Sequence, residues 1–294
     1  MALRGTTPSS NPMGRTLIAL LVALSARVIP SVVEESASPT VVRIIGFDYA
    51  FRAPEHVKAG RTTITFINRG KKRHEFNLSL LAPGVSPERF MAALKAGTPV
   101  KDLVERTGGV LFAEPGGKEA GASISTDLLA GRTYVAICIF RDTSNAPPHH
   151  ALGMFTVIRP EGTAPSVLPP LPADTVVATD YAFTYPRTLS PGRHRFVFVN
   201  HGAQRHEVSI SRFKAGVTVA SFMAVDKAGG DVDPLFDSGV GVLHSYGGKS
   251  PISALEVELL PGREYYLECN FSDTDNSPAH NKLGMFGSIR VSRK

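Results

Sequence analysis

Cysteine is scarce in this chain, with two in 294 residues. So few thiols cannot form a disulfide framework, and the fold has to rest on a packed core. Dense lysine or arginine runs are missing, as is any nucleic-acid motif. The net charge of +6 therefore describes a soluble basic surface with at most a slight preference for acidic partners. No Gly-rich phosphate loop and no G-x-S-x-G nucleophile motif occurs, which removes the commonest phosphate and acyl-transfer chemistries. What is present is globular: 43% hydrophobic and 20% charged residues, with 22 prolines and 27 glycines that suggest the many turns of an all-β chain.

Residues 1–26 have the pattern of an export signal. Arg4 and Arg15 are basic, Leu17 to Leu24 is apolar, and small residues around Ser25 suit cleavage. The apolar run is short of the roughly 20 residues that span a bilayer. An uncleaved N-terminal anchor is the alternative, and would be the chain's contact with a membrane. Export sets the chain in a periplasmic or extracellular, oxidising compartment, where a free thiol needs protection. A bound metal would provide it.

Two modules follow. The first spans 41–159. Val41–Ile45 and Thr62–Ile67 alternate as strands do. Residues 86–106 break that rhythm. Ser86, Pro87 and Glu88 make a good helix start, so a short helical insertion is expected there. Residues 160–173 are proline-rich and read as a semi-rigid linker. The second module, 174–294, repeats the first landmark by landmark. Asp48-Tyr-Ala-Phe51 returns as Asp180-Tyr-Ala-Phe183. Asn68-x-Gly70-x-x-Arg73-His74-Glu75 returns as Asn200-x-Gly202-x-x-Arg205-His206-Glu207. Gly131-Arg132-x-Tyr134 returns as Gly262-Arg263-x-Tyr265. A repeat of this length is a duplicated domain.

Both cysteines open the same segment, Cys-x10-His-x4-Met: Cys138, His149 and Met154 in the first module, Cys269, His280 and Met285 in the second. Each also contains Asp-Thr, at Asp142 and Asp273, read as shaping the turn. With His74 and His206 added from upstream, each module holds two imidazoles, a thiol and a thioether. Taken singly, these residues would be core cysteines and methionines or surface histidines. In register, twice, they are the ligand set of a blue copper site. His149 and His150 are adjacent, and alignment on the second copy selects His149, since Asn281 stands in place of His150. On the cysteine strand, Tyr265, Leu267 and Cys269 are expected to face the core, with Glu264, Tyr266 and Glu268 outward.

These segments resemble those of the cupredoxins, the plastocyanin and azurin superfamily. The resemblance covers nearly the whole mature chain, as two copies. It implies an all-β fold of two Greek-key cupredoxin-like β-sandwiches in tandem, with copper, up to two ions per chain, at one end of each. The chain departs from the pattern in one place. Single-copper cupredoxins usually have two to four residues between Cys and the second His, and here there are ten. The extra residues either bulge out and return the histidine, or open the site. Glu75 and Glu207 also stand where many members have Asn.

The function implied is electron transfer by an exported copper protein, with an unidentified redox or copper-exchange protein as partner and no nucleic acid. Copper storage or delivery is the alternative, followed by a metal-free interaction module. A copper enzyme is disfavoured, because two-domain oxidases and nitrite reductases use extra histidines, often as His-x-His, and no such pair occurs. His56, His194, His201 and His244 lack counterparts and are read as surface residues. Arg73 and Arg205 either position a partner or pair with acidic loop residues.

Overall fold

The computed structural model describes residues 39–54, 56–163 and 171–294. The expected export signal and residues 164–170 of the expected linker lie outside them. Alternation in the sequence becomes alternation across a sheet. In Thr40–Phe47, Val42 and Ile44 turn inward, and in Gly60–Asn68, Ile64 and Phe66 do the same. The landmark repeat is structural, and the main strands of one module are matched by strands of the other.

Two nine-stranded sheets result, and each runs through both modules. The first is ordered Ala182–Thr184, Asp174–Thr179, Gly192–Asn200, Ser253–Leu259, Ala122–Leu128, Gly60–Asn68, Thr40–Phe47, Ala50–Arg52, with the short Lys118–Glu119 beside Gly60–Asn68. The second is ordered Phe155–Ile158, Tyr134–Ile137, His74–Leu81, Val104–Ala113, Phe236–Ser245, His206–Phe213, Glu264–Glu268, Phe286–Val291, Thr188–Leu189. The sheets face one another over a shared core that includes Phe66, Phe76, Phe196 and Phe198.

The joins are antiparallel and fall on equivalent residues. Ile124 lies opposite Leu255 in the first sheet, and Val110 opposite Val242 in the second. Each is its partner's counterpart in the duplication, so a local two-fold axis passes through both sheets. Pairing at the joins removes two free strand edges from each module. Glycines make room at the axis. A Cβ on Gly109 would stand 2.9 Å from Ile124 Cγ1, and one on Gly241 3.1 Å from Leu255 Cδ1. Leu255 is fully buried there. Leu255→Ala is expected to destabilise the chain by about 2–5 kcal/mol, read as a lower urea midpoint with an unchanged slope.

The helical insertions are α1, Pro87–Lys95, and α2, Val219–Lys227. Ser86 caps α1 by accepting from Arg89 N at 3.2 Å, and Thr218 and Ser221 form a capping box on α2. Each helix lies on the outer face of the second sheet. Phe90 and Met91 of α1 pack with Val135 and Ile137, and Phe222 of α2 packs with Phe213 and Tyr266. Glu264 and Tyr266, expected to point away from the core, do so, but under this cover they are 8% and 3% exposed. Strand alternation alone does not show that a helix will roof the far face.

Pro160–Glu161, at the start of the expected linker, form a short parallel pair with Val57–Lys58.

Candidate metal centres

Each centre is assembled from three places in the module. His74 opens the strand His74–Leu81, Cys138 directly follows Tyr134–Ile137, and His149 opens a 3-10 turn, His149–Leu152. The ten-residue spacing does not open the site. His149 N donates to Phe140 O at 2.8 Å and His150 N to Cys138 O at 2.8 Å. Residues 141–148 are thereby looped out, and His149 returns beside Cys138. The second module repeats both bonds, from His280 N to Phe271 O and from Asn281 N to Cys269 O.

In the first module His74 Nδ1 lies 3.1 Å from His149 Nδ1, while Cys138 Sγ is 3.4 Å from His149 Nδ1 and 3.9 Å from His74 Nδ1. In the second, His206 Nδ1 and His280 Nδ1 are 3.1 Å apart, and Cys269 Sγ is 3.4 Å from His280 Nδ1 and 3.8 Å from His206 Nδ1. All six side chains are buried. His150 is buried too, but it is His149 that faces the cysteine. Met154 and Met285 are fully buried, and their backbone N–H groups donate to His149 O and His280 O. Gly46 leaves room for Met154, whose Cε is 3.5 Å from where a Cβ would stand.

Carboxylates hold the outer edges of the imidazoles. His74 Nε2 lies 3.3 Å from Asp48 Oδ1 and His149 Nε2 3.2 Å from Asp142 Oδ1. His206 and His280 are matched by Asp180 and Asp273 at 3.0 and 3.1 Å. A carboxylate only accepts, so these contacts put the proton on Nε2 and leave the Nδ1 lone pairs facing each other. Tyr49 O–H donates to Asp142 at 2.5 Å, and Tyr181 to Asp273 in the same way. That bond is the leading cause that lowers the Asp142 and Asp273 pKa values. Tyr49 and Tyr181 have φ of 63° and 65°, the positive-φ non-glycine residues among those described. Such backbone costs of order 1–3 kcal/mol, and here it places both hydroxyls against the site carboxylates.

The Asn-x-Gly landmark is the scaffold beneath. Asn68 accepts from Gly70 N at 2.8 Å and donates to Lys72 O and Ala113 O. Lys71 N and Lys72 N donate to Asp48 Oδ1. Gly70 is needed for close approach, since a Cβ would lie 2.3 Å from Asp48 Oδ1 and 3.0 Å from His74 Nε2.

Glu75 N donates to Cys138 Sγ at 3.4 Å, and Glu207 N to Cys269 Sγ at the same distance. The Glu75 carboxyl turns inward and accepts from Ile139 N at 3.3 Å. Burial raises its pKa to about 7 and raises that of Glu207 as well. Burial also pushes the Cys138 thiol up to about 12 and Cys269 to about 11. It lowers the pKa of His74 and His206, against the pull of their aspartates. A cation fits this donor set. Among the described residues the two inward imidazole lone pairs of each module have one thiol between them, and a cation would meet both and stabilise the thiolate that burial alone disfavours. The spacings suit nitrogen and sulfur donors around one first-row metal with bonds of about 2.0 and 2.3 Å. Two histidines and a cysteine, with a methionine thioether in the same segment, make a copper set.

Two expectations need correction, at His244 and His194, and four aspartates have roles beyond those read from the sequence. Asp142 and Asp273, read as turn residues, hold the imidazoles. Asp48 and Asp180 were visible as repeated landmarks but had no assigned role. His244, expected at the surface, is 4% exposed, because its strand lies inside the joined sheet. Its Nδ1 takes a contact of 3.2 Å from Arg205 Nη2. His194 is mostly covered as well, with Nδ1 2.7 Å from Asp174. Arg73 and Arg205 pack on aromatic rings, Arg73 over Phe112 and Phe140 and Arg205 over Phe271. Arg73 also pairs with Glu114.

Paired nine-stranded sheets and two His-Cys-His groups, one in each module, define the chain. No protein-family model matches it, and no curated protein does. Solved structures similar to it include auracyanin B, with 22% identity over 43% of this chain and 94% of that one, at a TM-score of 0.27. Auracyanin A, a "blue" copper protein from Chloroflexus aurantiacus, has 19% identity over 42% and 100%, at 0.29. A blue copper oxidase from Nitrosomonas europaea has 14% identity over 86% and 86%, at 0.23.

Proposed function

We propose that each module holds one copper ion and that the chain is an exported electron carrier. The observation that carries this reading is the paired Nδ1 lone pairs, 3.1 Å apart in both modules, with a buried cysteine sulfur beside them. His74, Cys138 and His149 would hold one ion, with the buried Met154 as a fourth donor. His206, Cys269, His280 and Met285 would hold the other. Copper supplies one-electron exchange. The protein supplies rigidity, because aspartates fix each imidazole from outside and the strands fix each cysteine. Donors that cannot move keep the reorganisation on electron exchange small. The backbone N–H on each sulfur withdraws charge from the thiolate and favours the reduced ion.

Burial of the whole donor set supports retention over exchange, and so a carrier over a delivery protein. The nine histidines, without a His-x-His pair, support a carrier over an oxidase. Leu152 and Leu283, each 45% exposed on the turns that bear His149 and His280, are the surface on which we place a redox protein partner. The N-terminal segment supports export. Among the described residues no helix is long and apolar enough to cross a membrane. Voltammetry of copper-loaded protein is expected to show reversible one-electron waves. Tightly bound copper without a reversible wave would favour storage.

A further inference from the structure

The two modules differ on the outer face of the second sheet, beside the helices. In the first module a cavity of 330 Å³ there is lined by Met91, Lys95, Phe155 and Val157 among others. In the second the corresponding cavity, between α2 and the turn His280–Leu283, reaches 740 Å³. That is the size of a small-molecule site. Its apolar walls include Phe222, Met223, Phe236, Leu283 and Phe286.

Asp226, Lys227, Asp233, Asn281 and Lys282 also line the cavity, and on the strand that forms its floor stand two further polar residues, Tyr266 and Glu268. By the offset of the duplication they replace Val135 and Ile137 of the first module, both buried. Tyr266 is 3% exposed, and its hydroxyl makes no hydrogen bond with the described residues. Burial, first, and the charges of Glu268 and Asp226 raise its pKa, so it remains a donor. Glu268 accepts from Asn281 Nδ2 at 2.8 Å through Oε2, which leaves its other oxygen for a donor. The Tyr266 hydroxyl lines the cavity where the sister module has valine, and so offers a ligand a hydrogen bond that the first module cannot. At the mouth, Lys282 and Asp226 neutralise one another at 3.1 Å.

We propose that this cavity binds a neutral aromatic compound carrying a hydroxyl group, a phenol in chemical class. The ring lies against Phe222, Phe236 and Phe286. The ligand hydroxyl accepts from Tyr266 and donates to Glu268. An anionic ligand would face the Glu268, Asp226 and Asp233 carboxylates that line the cavity. The location gives binding a consequence. Glu268, Asn281, Gly284 and Phe286 line the cavity and directly flank Cys269, His280 and Met285. The ligand therefore sits across one backbone layer from the second module's donor set, and the smaller cavity of the first module has no tyrosine or glutamate at the matching positions.

The test uses the full chain without metal and 1-naphthol as probe. The probe's own fluorescence reports binding, since the chain has no tryptophan. One saturable site per chain is expected. Tyr266→Phe keeps the ring and is expected to weaken binding about fivefold, the effect of one neutral hydrogen bond. Naphthalene, which lacks the hydroxyl, should bind wild type and Tyr266→Phe equally. A double change to the first module's residues, Tyr266→Val with Glu268→Ile, should abolish binding of 1-naphthol. Absence of saturable binding, or 1-naphthol bound equally by wild type and Tyr266→Phe, would overturn the proposal. Because no metal is present, either result leaves the copper reading untouched.

Discussion

Cys269→Ser is expected to lower the copper content of loaded protein from two ions per chain to one, and Cys138→Ser to do the same at the other site. Each thiol is fully buried beside two imidazoles. A serine hydroxyl in that place is a hard, neutral donor with a far higher pKa. It cannot form the thiolate bond that copper requires in a set of two imidazole nitrogens and one sulfur. The two histidines that remain would bind weakly. The loss should stay local, because no donor is shared between modules. Metal analysis of the two variants checks this, and a variant that keeps both ions would show its cysteine is not an essential ligand.

Asp180→Ala is expected to weaken copper binding at the second site by about 10–100-fold, the usual effect of removing a partner that orients a metal-bound histidine. Asp180 fixes His206 through Nε2 at 3.0 Å and accepts from Ala203 N and Gln204 N as well. The His206 bond is the leading cause of its lowered pKa. Without it the ring is free to take the other tautomer, with a proton on Nδ1 where the metal should lie. Because His206 Nδ1 would then be blocked part of the time, affinity should fall without loss of the fold. Competition with a chelator measures the affinity. An unchanged value alongside unchanged thermal stability would contradict the role given to Asp180.

The duplication, and the His-Cys-His trio that comes together in each module, were legible in the sequence because metal-ligating types are rare and the register was kept twice. Cys-x10-His-x4-Met stands out when only two cysteines exist. The aspartates were not legible as site residues. Asp48 lies 26 positions from His74, and an Asp-Tyr in a turn resembles any other turn until the fold brings it to the imidazole. The ten-residue loop left two outcomes open, since backbone bonds such as His149 N to Phe140 O are not written in side-chain identity. His244 was misread for a related reason. A polar residue without a counterpart suggests surface, but the join between modules buries its strand, and pairing between domains has no local signature. The same holds for Tyr266, whose cover comes from a helix, Val219–Lys227, far back in the chain.

Copper stoichiometry read together with the visible spectrum of the loaded wild-type chain tests the central claim most directly. Two coppers per chain and an intense thiolate-to-copper(II) charge-transfer band are the predicted result. A loaded chain that binds no copper, or binds copper(II) and stays colourless, would contradict it.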